Sequence, residues 1–158
     1  VRVILPYTKL RKPVIRALDA TGYEYERHDV SGSDRDYFDL LVRLWDQGET
    51  FCIVEHDIVI HPTALSELHV CSGDWCGFPH TYAGQTGYWL GCVKFTDRLI
   101  QRHRDLIARL GVIHGMNYPR RHWYRLDPFL QQVLLPNDGE QKCEHPTVVR
   151  HLGDCVAP

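Results

Sequence analysis

The chain has 158 residues, 44% hydrophobic and 24% charged, with a formal charge of -2 and a pI near 6.6. That length suits one domain, residues 1–158, with a buried core, and the balance excludes a disordered or fibrous protein. It also lacks the basic excess of a phosphate-tracking protein, so no nucleic-acid partner is expected.

Val1 to Leu5 is a β-branched run closed by Pro6 and reads as a first strand. In "KPVIRALDATG" the helical spacing of Val14, Ile15, Ala17 and Leu18, with Pro13 early and Gly22 late, predicts a helix. "YEYERHDV" alternates as a second strand, and "SDRDYFDLLVRLWDQGE" predicts an amphipathic helix with Leu40, Leu41, Leu44 and Trp45 turned inward.

"TFCIVEHDIVI" follows as a central strand with its continuation, and "HPTALSELHV" as a short helix opened by Pro62. "DWCGFPH" and, after a Gly-rich turn, "GYWLGCVKFT" read as strands. "DRLIQRHRDLIARLG" is the longest periodic helix, with Asp97 as N-cap and Gly111 past its end. "HGMNYPRRHWYR" reads as a loop, "LDPFLQQVLL" as a last helix and "TVVRHLG" as a closing strand. Alternating strands and helices predict an α/β fold, an open and mainly parallel sheet covered on both faces, with ligands beyond the carboxyl ends of its strands.

No apolar run approaches the roughly 20 residues of a membrane span. The opening "VRVILPYTKLRKP" lacks a signal peptide's apolar stretch, so a soluble, cytoplasmic chain is expected; Val1 leaves an excised catalytic domain open. Six cysteines are too few for a disulfide framework, and reduced thiols are expected, with Cys52 and Cys92 as small buried hydrophobes. Cys71, Cys76 and His80 hint at zinc, but no short CxxC pair is present, which argues against a structural zinc site.

The polar triplet Glu55-His56-Asp57 interrupts the most apolar run. In an extended chain Glu55 and Asp57 share a face and His56 points away, so both carboxylates can meet one ligand. Burying them is costly without a counterion, and a hard divalent cation, Mn2+ or Mg2+, fits their oxygens. The bland alternative is a strand ending at Val54 with a solvated turn behind it. His151, at the end of the closing strand, completes a carboxylate-carboxylate-imidazole set. Asp127-Pro128 is an N-cap signature on its own. Trp75 and Trp89, with Gly91 beside the latter, are candidates for sugar or acceptor contacts, although strand aromatics, Tyr88 and Trp123 included, are more often core. Arg120, Arg121 and Arg125 can hold phosphate or simply face solvent.

This element order, with "VEHDIVI", "TGYWLGCVKF", "RLDPFLQQVL" and "VVRHLGD", resembles a compact GT-A glycosyltransferase. The resemblance implies a D-x-D-like metal motif at Glu55-His56-Asp57, with Glu55 departing from the first aspartate, and a late metal-binding histidine at His151. It implies nucleoside binding at Pro6, Tyr7 and Thr8, with His56 beside the nucleotide-sugar. It implies Asp127 as the base that deprotonates an acceptor hydroxyl. The donor would be a nucleotide-diphosphate sugar and the acceptor unknown; for so short a chain, a partner or a second copy could complete the acceptor site. A metal-dependent phosphoester hydrolase or phosphotransferase using Glu55, Asp57, His61 and His151 is the alternative, and a binding module with a dead site a third reading.

Overall fold

The computed structural model describes residues 1–33, 35–82, 85–87, 90–110, 130, 142–145 and 149–155. Strand β1 (Arg2–Tyr7) leads to helix α1 (Lys12–Asp19), strand β2 (Glu26–Asp29) and helix α2 (Asp36–Gln47). Strand β3 (Phe51–Val54), the two-residue strand β4 (Ile58–Val59) and helix α3 (Ala64–Val70) follow. Then come β5 (Trp75–Gly77), the hairpin of β6 (His80–Tyr82) and β7 (Gln85–Gly87), β8 (Cys92–Phe95) and α4 (Asp97–Arg102). Near the end lie β9 (Lys142–Glu144), β10 (Arg150–His151) and a 3-10 turn, Leu152–Cys155.

Among the described residues, six strands form one sheet in the order β2-β1-β3-β8-β5-β9. The sheet is mixed: β1–β2, β1–β3 and β5–β9 pair in parallel, while β8 runs antiparallel to both β3 and β5. Alternation along each strand sends side chains to two cores. Ile4, Phe51, Ile53, Trp75, Val93 and Phe95 face α2 and α4, where Trp45 packs edge-on against Phe95. Val3, Leu5, Cys52, Val54, Cys76 and Cys92 face α1 and α3. A sheet buried on both faces needs continuous apolar strands, and β1 and β3 read that way in the sequence.

Several expectations need correction. Pro6 does not close β1; it pairs with His28 of β2 and lies beyond the last β1–β3 pair, Ile4 with Ile53, where a missing N–H is tolerated. The helix expected from Asp97 to just before Gly111 is broken: α4 stops at Arg102, residues 103–105 turn, and 106–110 are helical again. The indole of Trp45 donates to the His103 carbonyl at 2.7 Å, satisfying an acceptor at the break. Thr96, not Asp97, is the N-cap, its hydroxyl accepting from the Leu99 N–H. The closing strand shrinks to β10, which pairs with β4 outside the main sheet, and β9, too polar to be read as a strand, takes the sheet edge. Of the last helix only Leu130 is described, helical and buried. Among the described residues no helix is long and apolar enough to cross a membrane.

Candidate active site at the carboxyl edge of the sheet

Five of these six strands point the same way, and their carboxyl ends open onto the segments at 8–11, 30–33, 55–57 and 78–79. The acidic triplet occupies the third of these. It is a turn rather than strand: β3 ends at Val54, the Ile58 N–H donates to the Glu55 carbonyl at 3.0 Å, and β4 begins at Ile58. The alternation expected of an extended chain therefore does not hold here, and each of the three side chains has its own setting. Nor is the turn simply solvated, for all three residues are half-buried.

Glu55 is held from α2, where the buried Tyr37 donates its hydroxyl to Glu55 Oε1 at 2.7 Å. His56 turns toward β1's end, with Nε2 3.3 Å from Thr8 Oγ1. Burial lowers the His56 pKa, Arg11 and His151 add to that, and Asp57 opposes it. Asp57 faces His151, with Oδ2 3.3 Å from Nε2. Burial, the largest effect on Asp57, pushes its pKa up. The hydrogen bond from His151, and the positive charge that His151, His56 and Arg11 can carry, outweigh this and hold the carboxyl below its ordinary value.

The fold brings Asp57 and His151 together by pairing β10 with β4, His151 opposite Ile58, and by the Leu152 N–H donating to the Asp57 carbonyl at 2.7 Å. The Gly153 N–H donates to His151 Nδ1 at 2.9 Å, so the ring proton sits on Nε2 and is donated to Asp57. The His80 ring lies parallel to His151 with centroids 5.8 Å apart. Asp57 Oδ1 is buried and has no hydrogen-bond partner. This orphaned oxygen fits a cation ligand, since an unpaired anionic oxygen out of water is costly. Asp57 with a neighbouring imidazole is an O,N donor set suited to Mn2+ and, through oxygen, to Mg2+.

The other expected residues are dispersed. Pro6 is buried in β1, while Tyr7 and Thr8 reach the carboxyl edge. Trp75 is 5% exposed and stacks on Phe95 in the α2 core, so its ring is covered rather than offered to a sugar. Gly91 is buried against Ile58 and His80, and its carbonyl accepts from the Glu55 N–H at 2.9 Å, a packing role at the edge of the site. His61 is exposed and engaged with Thr63 at 2.8 Å, outside the Asp57–His151 pair. Asp127, Trp89, Tyr88, Trp123, Arg120, Arg121 and Arg125 lie outside the described residues.

Tyr37 and Arg11 belong to this neighbourhood although no motif pointed to them, and His80, read in the sequence beside Cys71 and Cys76, lies here against His151 instead. A buried tyrosine on the inner face of α2 needs a partner for its hydroxyl, a signal that could have linked Tyr37 to the polar turn. The three ligand atoms that lie within 4.8 Å of one another among the described residues belong to Cys71, Cys76 and His145. His145, not His80, joins the two cysteines.

No family model matches the sequence, and the comparison with curated proteins finds no match either. Among solved structures, the chain aligns with a glycosyltransferase involved in glycosylation of the major capsid of PBCV-1. The alignment covers 99% of this chain and 94% of that one, at 9% identity and a TM-score of 0.60. A197 from STIV aligns over 65% of this chain and 68% of that one, at 14% identity and a TM-score of 0.46, too low to carry weight. With so little sequence in common, the likeness lies in the fold. The chain has a glycosyltransferase-like fold, a mixed sheet with a helical layer on each face.

Proposed function

We propose that this chain is a GT-A-type glycosyltransferase that moves a sugar from a nucleotide-diphosphate sugar to an acceptor hydroxyl with Mn2+ or Mg2+. The fold shared with a glycosyltransferase supports the class. The observation that carries the metal-dependent reading is Asp57, whose buried Oδ1 has no partner and whose Oδ2 meets His151 at the carboxyl edge of the sheet.

Asp57 and His151 would hold the ion, with Glu55 the less direct ligand because Tyr37 already engages its Oε1. Once bound, the ion supplies positive charge against the negative charge that gathers on the departing diphosphate. For Nε2 to offer a lone pair, the neutral ring would have to take its other tautomer, its one proton moving from Nε2 to Nδ1, where the Gly153 N–H now donates, so the turn after β10 would have to rearrange. Thr8 and His56 would line the nucleotide side, with Arg11 adding charge that suits phosphate oxygens. Asp127 would take the proton from the acceptor hydroxyl.

The test is release of nucleoside diphosphate from UDP-, GDP- and CDP-sugars in the presence of Mn2+. Turnover of one donor, reduced about 100-fold or more in Asp57→Asn, is the expected result. Metal-dependent cleavage of simple phosphoesters with no nucleotide-sugar turnover would overturn the proposal in favour of a hydrolase.

A further inference from the structure

We propose that Cys71, Cys76 and His145 form a structural Zn2+ site that pins the end of α3 and strand β5 to the edge strand β9. Cys71 follows the last residue of α3, Cys76 is the buried middle residue of β5, and His145 comes directly after β9. One ligand atom from each lies within 4.8 Å of the others. Two sulfurs and an imidazole nitrogen are the donor set of structural zinc rather than of a hard, oxygen-seeking cation. The site shares no residue with the Asp57–His151 pair.

Three further observations point to a bound ion. His145 Nε2 is buried and has no hydrogen-bond partner, an expense that native proteins seldom leave unmet. The other ring nitrogen, Nδ1, faces Glu67 Oε2 at 3.7 Å, which puts a carboxylate behind the imidazole, within ion-pair reach and just beyond hydrogen-bond distance. The Gly73 N–H also donates to Cys71 Sγ at 3.4 Å, a backbone contact that orients the sulfur.

The sulfurs stand 2.9 Å apart. Two Zn–S bonds of about 2.3 Å at a tetrahedral angle set sulfurs about 3.8 Å apart, so metal entry parts them by about 1 Å. Binding releases the two thiol protons to solvent, leaving two thiolates and a neutral imidazole on the ion. Such a staple would explain how a three-residue edge strand of composition Lys-Cys-Glu holds its place with so little apolar sequence.

The experiment measures zinc in the full chain, purified under reducing conditions without added metal and dialysed against metal-free buffer, and then records the visible spectrum after Co2+ exchange. The expected result is close to one zinc per chain and a tetrahedral thiolate–cobalt spectrum. Cys76→Ser and His145→Ala should lower the zinc content at least about tenfold. His145→Cys, which keeps a soft ligand and controls for folding, should retain zinc. A reduced, folded chain that takes up neither Zn2+ nor Co2+ would overturn the proposal. So would zinc content indifferent to His145→Ala, or a Cys71–Cys76 disulfide in protein purified under reducing conditions.

Discussion

Gly91 is the position where the packing around the candidate site can be tested with a single methyl group. A Cβ added there would stand 2.7 Å from His80 Cε1 and 2.8 Å from both Cδ1 and Cγ1 of Ile58. Ordinary carbon contacts begin near 3.5 Å, so each neighbour has to retreat by about 0.7 Å or more. Neither has room: Ile58 is 0% exposed and His80 2%. Overpacking of this kind costs about 1–3 kcal/mol. In a chain of this length that lowers the melting temperature by roughly 3–10 °C. The strain also reaches His151, which pairs with Ile58 and stacks on His80. Urea unfolding of Gly91→Ala measures the loss, with Gly77→Ala as the control. The added Cβ of that control meets Cys92 O at 3.6 Å and Val93 Cγ2 at 3.8 Å, ordinary contacts. Gly77→Ala should therefore stay within about 0.5 kcal/mol of the wild type. If the two variants unfold at the same urea concentration, the packing argument is wrong.

Asp57 has a lowered folded-state pKa, so the stability it contributes is present above the unfolded value of about 3.9 and lost as pH falls through the folded one. The stability gap between wild type and Asp57→Asn in urea titrations should accordingly be widest near neutral pH and close below about pH 4. Burial pushes the Cys52 thiol up to about 12 and the Cys92 thiol well above its ordinary value. Both should resist iodoacetamide in the native chain and react only on unfolding, as peptide mapping can show. Asp74 receives Arg98 and Arg102, each at 2.7 Å, and the Thr96 hydroxyl at 3.3 Å. Both arginines are largely exposed, so Asp74→Ala should cost no more than about 1–3 kcal/mol by urea unfolding, mostly through the buried Thr96 contact.

Much of the fold was legible because burial on both faces of a sheet leaves continuous apolar strands, and amphipathic helices announce their inner face. β1, β3 and α2 illustrate this, the last with Leu40, Leu41, Leu44 and Trp45 all buried as their spacing predicts. Gly48, left-handed at φ 72, ends α2 within the expected span. The break at 103–105 was not legible, since the periodicity of Leu99, Ile100, Leu106 and Ile107 spans it without a Gly or Pro to mark it. The edge strand β9 was hidden for a different reason: its pairing with β5 is a backbone matter, and a polar sequence carries no period-two signal.

The candidate site was legible in composition but not in geometry. Charged residues in an apolar run marked Glu55 and Asp57, yet only the turn after Val54 decides that Asp57 meets His151 while Glu55 meets Tyr37. The pairing of His151 with the turn depends on β10 leaving the main sheet for β4, a long-range choice that no local pattern encodes. The same holds for Cys71 and Cys76, whose third companion comes from residue 145 rather than from the nearby His80.

The claim on which the rest depends is that Asp57 and His151 take up a divalent cation which then receives a diphosphate. Calorimetric titration of Mn2+ into the purified chain, with and without UDP and GDP, tests it most directly. Binding of one Mn2+ that tightens with a nucleoside diphosphate, and weakens at least about tenfold in Asp57→Asn and in His151→Ala, is the expected result. Mn2+ binding of equal strength in the wild type and both variants would contradict it.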